Sequence, residues 1–229
     1  MEEHSGIPFD SQMEPMEWAK FVVRTRSENN YTAAFSILSA SANMGSAEAE
    51  FFLGLLYARG QGVTKNLKAA KYWFERSADA GNLSAKYFLG KMYSKGYGVE
   101  RDLAKAIEYL TLPADGGDAR AQYLLGLIYF DGEDTGKDLD LAVKLFLQSA
   151  ESGHSESQFI LGQLFKTGYG VEKDSEIALN WLVSAAMNRH KGAQILLGNM
   201  YNTGDGVPQD KEEADRWYSM SGSPAISAL

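Results

Sequence analysis

Two histidines, His154 and His190, stand 36 residues apart, and the chemistry open to such a pair is a shared metal ion. No carboxylate accompanies them at a ligand spacing, which a closed metal site would need. Four Gly-x-Gly loops, Gly60–Gly62, Gly96–Gly98, Gly168–Gly170 and Gly204–Gly206, could cradle a phosphate. The third glycine of the dinucleotide pattern is missing and no strand precedes the loop; its recurrence marks a structural turn. Asp102, Asp138, Asp174 and Asp210 could serve as acids or metal ligands, but helix N-capping accounts for them better. Trp73, Trp181 and Trp217 read as core rather than as a ligand cage. No Gly-x-Ser-x-Gly nucleophile motif is present. With no cysteine in 229 residues, disulfides, thiolate chemistry and cysteine-based zinc sites are excluded. The residues point to no catalytic group, cofactor or metal, and the chain is not expected to be an enzyme.

What positions these residues is a period. Gly54, Gly90, Gly126, Gly162 and Gly198 follow one another at intervals of 36 residues, which marks stacked supersecondary units. A first helix is expected to start near Ala47, Leu83, Ala119, Ser155 and Lys191. It carries a small residue at Ala49, Ala85, Ala121, Ser157 and Ala193, and a leucine at Leu53, Leu89, Leu125, Leu161 and Leu197. Its aromatic recurs at Tyr57, Tyr93, Tyr129, Phe165 and Tyr201. The glycine costs that helix about 1 kcal/mol relative to alanine, so a close approach of a second helix is expected to offset it. Loop glycines end the first helix, and Val63, Val99, Val171 and Val207 plug the loop onto the core. Asn66, Asp102, Asp138, Asp174 and Asp210 open the second helix as N-caps. That helix presents Ala70, Ala106, Ala142, Ala178 and Ala214, then a large residue at Trp73, Tyr109, Leu145, Trp181 and Trp217. Large residues facing small ones interlock stacked helices.

Residues 1–12 are polar and aperiodic and read as a flexible leader. Residues 13–46 form a degenerate capping repeat. In it a helix from Pro15 turns Trp18, Phe21, Val22 and Thr25 to one apolar face. Asn30 caps a second helix from Tyr31 to Asn43, which buries Ala34, Ile37, Leu38 and Ala42 and ends at a left-handed Gly45. Five full repeats follow over residues 47–222 as a single solenoid domain, and residues 223–229 are a tail. Three departures stand out. Asp134 and Thr135 break the loop pattern inside Asp131–Gly136, a candidate recognition feature. Pro113 is expected to kink or shorten its helix. Arg189 replaces the closing glycine of the fourth repeat, so Asn188 is expected to take the turn conformation.

The grammar Ala-x-x-x-Leu-Gly-x-x-Tyr, Gly-x-Gly-Val, Asp, Ala-x-x-Trp, Ala and Gly resembles the Sel1-like repeat (SLR) family, a branch of the tetratricopeptide-like superfamily. The resemblance covers about residues 47 to 222, with a weaker copy before. It implies an all-α fold, a right-handed α-solenoid of antiparallel helix pairs. It also implies a role in protein binding, as adaptor, scaffold, regulator or secretion-effector immunity protein.

In related superhelices one side of the first helix lines a concave groove. With the leucine and tyrosine facing the second helix, the opposite stripe holds Phe51, Leu55 and Arg59 and their periodic copies. The aromatic track Phe51, Tyr87, Tyr123 and Phe159 has a simpler reading, packing of first helix on first helix. The positions that vary between repeats say more. Leu127 and Phe130 are expected as exposed apolar anchors, with Lys91, Lys95 and Arg59 as a charged rim; Asp131, Gln163 and Lys166 continue the stripe. The basic residues predict a ligand that presents a carboxylate-rich or C-terminal segment.

A net charge of −8, with lysine and arginine dispersed, argues against nucleic acid. No stretch approaches the length of apolar sequence needed for membrane insertion. The expected function is therefore a noncatalytic interaction scaffold or adaptor, monomeric, that holds a protein or extended peptide. The alternative is an immunity protein that neutralises a secreted effector enzyme; an enzyme and a self-assembling spacer rank lower. The compartment is cytoplasmic if the chain is complete, and periplasmic or secreted if a signal peptide has been removed.

Overall fold

The computed structural model describes residues 13–133 and 136–222. The expectations for the leader, for Asp134 and Thr135, and for the tail fall outside them. Among the described residues there are helices and turns only: α1 (Pro15–Thr25), α2 (Tyr31–Asn43), α3 (Ala47–Arg59), α4 (Leu67–Asp79), α5 (Leu83–Lys95), α6 (Leu103–Asp115), α7 (Ala119–Asp131), α8 (Leu139–Glu151), α9 (Ser155–Thr167), α10 (Ser175–Met187), α11 (Lys191–Thr203) and α12 (Lys211–Ser221). Two compact units divide the chain between Pro113 and Ala114. The core of the first unit gathers Trp18, Leu38, Leu53 and Phe74. The second unit holds one cluster around Phe146 and Leu161 and another around Leu182 and Leu197.

Each first helix of the five full repeats begins at the expected residue and ends on a glycine with φ of 69–78°. Each second helix is opened by the expected cap. Asn66, Asp102, Asp138, Asp174 and Asp210 accept a backbone N–H three residues on at 2.9–3.0 Å. The N–H of each cap in turn donates to the carbonyl of Tyr57, Tyr93, Tyr129, Phe165 or Tyr201 at 2.8–3.0 Å. That bond closes the loop into a fixed staple between the two helices. The loop valines pack on the core, as the sequence predicts.

The helix glycines are contact points. A Cβ on Gly54, Gly90, Gly126, Gly162 or Gly198 would lie 2.5–2.7 Å from the side chain of Phe74, Leu110, Phe146, Leu182 or Tyr218. The first four of these partners are fully buried; Tyr218 is also buried, and its hydroxyl donates to Asn199 Oδ1 at 2.7 Å. The interlocking residue is thus one position beyond the one the sequence pattern selects. Trp73, Tyr109 and Trp181 are only half-buried, while Leu145 and Trp217 are buried. Tyr109 stacks on Tyr93 at 5.8 Å.

A second set of ties was not foreseen. Gln122, Gln158 and Gln194 are buried near the starts of α7, α9 and α11, and each donates its Nε2 at 3.0 Å to the carbonyl of Ala114, Ala150 or Ala186 in the preceding second helix. A helix leaves its last carbonyls without intrahelical partners. These glutamines satisfy one each, for roughly 1 kcal/mol apiece. The signal was in the sequence, three glutamines at the repeat period. In the first repeat Glu50 holds the same position and is gripped by Arg76 at 2.7 Å.

Several local expectations are corrected. In α1, Phe21 and Thr25 are exposed, and Ala19 and Val23 are buried beside Trp18 and Val22. Asn30 makes no side-chain cap; its amide donates to Ser27 Oγ instead. Pro113 does not shorten α6, which runs 13 residues like its counterparts. Asn188 stays at φ −80°, and Arg189 itself adopts φ 64°. The bonds that end α10, Arg189 N–H to Ala186 and His190 N–H to Ala185, dictate that conformation whatever the residue.

Two stability predictions follow from these contacts. Arg189→Gly relieves left-handed strain of about 1 kcal/mol, so thermal melting should rise by a few degrees. Gly126→Ala gains about 1 kcal/mol of helix propensity but drives a methyl into the Phe146 ring, an overpacking cost of about 1–3 kcal/mol. Its melting temperature should fall.

Candidate protein-binding surface

The expected groove residues divide once their surroundings are visible. Phe51 lies on the rings of Phe52, Phe74 and Phe88, at 5.3–6.0 Å. Leu55 and Tyr87 are buried, at 5% and 7% exposure. Tyr123 lies tilted against His154 at 4.7 Å, and Phe159 stacks on His190 at 4.3 Å. The aromatic track therefore packs repeat on repeat, and the groove role is corrected for these residues. The reason is geometric for two of them: Tyr123 and Phe159 each overlie the histidine that caps the next first helix.

Phe130 is corrected as an exposed anchor. Its ring packs against Phe146 (6.1 Å) and edge-on to Tyr169 (5.6 Å), with Lys137 Nζ 5.9 Å from its centre. Lys137 also donates to the Tyr169 hydroxyl at 3.0 Å. Leu127 is half-buried on the same cluster. Asp131 and Gln163 are exposed. Lys166 is held by Asp205 at 2.6 Å beside a cavity of about 80 Å³.

In the first unit the positions corresponding to Phe130, Lys137, Phe146 and Tyr169 are Ala58, Lys65, Phe74 and Tyr97. There the space stays open as a cavity of about 270 Å³, which Phe88, Lys91 and Met92 also line. Lys91 is half-buried, Lys95 is exposed, and neither makes an ion pair with a described residue. Arg59 is exposed as well. Partial desolvation, with the positive charge of Arg26 adding to it, pushes its pKa below the ordinary arginine value. Such a guanidinium gains from a nearby anion.

A cavity of about 710 Å³ went unforeseen. It lies among α4, the Gly98–Asp102 loop and the start of α6. Its charges are largely matched internally: Lys71 pairs with Glu75 at 2.7 Å and Lys105 with Asp102 at 3.4 Å. Apart from the cap Asp102, no periodic signal marks it, because Lys68, Lys71 and Lys105 have no basic counterparts in the other repeats.

The Sel1 repeat profile matches residues 47–82, 83–118, 119–154, 155–190 and 192–223. The chain belongs to the Sel1 repeat family. A solved Sel1 repeat protein from Oxalobacter formigenes is 26% identical and superposes with a TM-score of 0.81, over 92% of this chain and 82% of its own. A protective antigen of uropathogenic Escherichia coli with the SLR fold is 25% identical, with a TM-score of 0.58. The match takes in 91% of this chain and 52% of the antigen, so this chain spans about half its length. An immunity protein from Pseudomonas aeruginosa, 18% identical, shares the fold at a TM-score of 0.59, over 94% of this chain and 83% of its own. No curated protein matches the sequence. The Sel1 repeat fold is all-α, of solenoid type, and a scaffold for protein binding. Among the described residues, no helix is long and apolar enough to cross a membrane.

Within this Sel1 repeat chain the two histidines are helix caps. His154 Nδ1 accepts from the Ser157 N–H at 3.4 Å, and His190 Nδ1 from the Ala193 N–H at 3.0 Å. Ser46, Asn82 and Asp118 do the same work in the earlier repeats. An imidazole that accepts at Nδ1 must be unprotonated there. Burial pushes the His154 pKa down, against the opposing pull of Glu156 and Asp118. The unfolded chain then takes up the proton first. The stability this provides is present above the unfolded value of about 6.5 and is lost as pH falls through the folded one. His154→Asn keeps a capping group without the titration. Melting temperature should drop more steeply for the wild type than for this variant between about pH 7.5 and about pH 5.5.

Proposed function

We propose that this protein is a noncatalytic Sel1 repeat adaptor or regulatory subunit, monomeric by itself, that binds a protein or extended peptide through the exposed face of its first helices. The observation that carries the reading is in the first unit. An open, mostly apolar cavity is bordered by Lys65 and Lys91, with Arg59 and Lys95 exposed on the same helices, in a chain whose net charge is −8. Cations collected around an apolar recess favour a partner that offers an apolar side chain and carboxylates together. The last-turn positions of Arg59 and Lys95 also complement their helix dipoles; Lys91, one turn earlier, has no such structural use. In the second unit, considered by itself, Asp131 and Gln163 are exposed at the register positions of Arg59 and Lys91. Phe51, Leu55, Tyr87, Tyr123 and Phe159 act behind it, as packing.

A second reading, an immunity protein that plugs a toxic enzyme, draws support from the fold shared with immunity proteins of Pseudomonas aeruginosa. A tight stoichiometric complex with an enzyme, and loss of that enzyme's activity, would distinguish it.

The test is affinity capture with the wild type and with a Lys91→Glu, Lys95→Glu variant of unchanged melting temperature. A partner retained by the first and lost, or weakened at least roughly tenfold, by the second is expected. Equal capture by both would sink the assignment of this face.

A further inference from the structure

We infer that the cavity between α3, α4 and α5 receives a phenylalanine side chain from an acidic segment of a partner protein. This rests on the protein-binding reading above and gives it a ligand class.

The occupied form of the site exists in the same molecule. Two periods further along, the residue in the place of Ala58 is Phe130. Its ring takes up the corresponding space, lying on Phe146 and Tyr169 under the Lys137 ammonium. The register counterparts of those three groups, Phe74, Tyr97 and Lys65, all line the open cavity. The walls of a phenylalanine site are therefore present and the ring is not. At the next junction Lys166 has the same place, bridges to Asp205 at 2.6 Å, and leaves only about 80 Å³. One position on the first helix thus sets three states: open with alanine, filled with phenylalanine, bridged with lysine.

Size agrees with this assignment. A cavity of about 150 Å³ holds a benzene ring, and the open one has about 270 Å³. Charge supplies the rest of the specificity. Where the filled copy has Gln163, the open site has Lys91, a second cation beside Lys65. Neither lysine makes an ion pair with a described residue. Lys65 corresponds to the ammonium that lies over the Phe130 ring, a cation–π contact. Lys91 remains for a carboxylate adjoining the incoming aromatic.

The experiment is an anisotropy titration of the full chain with a fluorescein-labelled peptide carrying Asp-Glu-Phe-Asp between glycine–serine linkers. Saturable binding is expected, weakened roughly tenfold or more when the peptide phenylalanine is replaced by alanine or when the protein carries Lys91→Glu. Ala58→Phe rebuilds the Phe130 arrangement and should abolish binding. Ala58→Leu is the smaller plug should the first variant melt early. In the other direction, Phe130→Ala combined with Gln163→Lys opens the second copy and supplies its missing cation, and calorimetry should read two sites per chain in place of one. Binding unchanged in a folded Ala58→Phe or Ala58→Leu protein, or no saturable binding to the wild type, overturns the phenylalanine site. If the peptide fails but Lys91→Glu, Lys95→Glu still releases a captured partner, the binding-module reading stands and only this inference falls. Wild-type self-association in sedimentation that Ala58→Phe abolishes would make the occupant a second copy and overturn the partner assignment.

Discussion

The structure depends on the absence of one methyl group per repeat. Gly54, Gly90, Gly126, Gly162 and Gly198 let a buried side chain of the second helix come within 2.5–2.7 Å of where a Cβ would stand. Everything else in the repeat is arranged around that approach. The small residues Ala49, Ala85, Ala121, Ser157 and Ala193 are fully buried on the same helices. The loop is held short by a backbone bond from each cap to the aromatic carbonyl. Helix propensity is given up at the glycine, and dense packing more than offsets it.

Because the stacking is carried by the glycine contact, the recess beside it is left free to vary. Ala58, Phe130 and Lys166 occupy one register position with three different outcomes, and their helices keep the same length and the same left-handed glycine at the C-cap. The residues proposed for binding are thus ones that the fold does not need. Surface cations such as Lys91 and Lys95 belong to that same free set.

Most of the architecture was legible from the sequence because it rests on residues with narrow conformational uses. Glycine at positive φ ends every first helix of the full repeats, and Asn or Asp at the N-cap opens every second helix. What was not legible falls into two kinds. Trp73 and Phe74 are both large and adjacent, and only the actual rotation of the helix decides which one meets Gly54. Likewise Arg189 gives no sign of left-handed backbone, since that conformation is imposed by the bonds closing α10. For the candidate surface, the cations were readable as to type. The exposure of Phe130 was not readable, because a ring that looks exposed by pattern can fold back onto Phe146 and Tyr169. The glutamines at 122, 158 and 194 recur at the repeat period, but a polar residue at that spacing does not by itself say that it is buried against a carbonyl.

Those glutamines give the chain a direction. Each sits in one repeat and completes a carbonyl at the end of the repeat before it. A repeat that has just left the ribosome is therefore unfinished until the next one folds against it, and synthesis from N- to C-terminus supplies the missing donor in the right order. Loss of the third, fourth or fifth repeat would hand one carbonyl of its predecessor back to water. The amide groups of these three glutamines thus point one way along the chain, each from a later repeat to an earlier one.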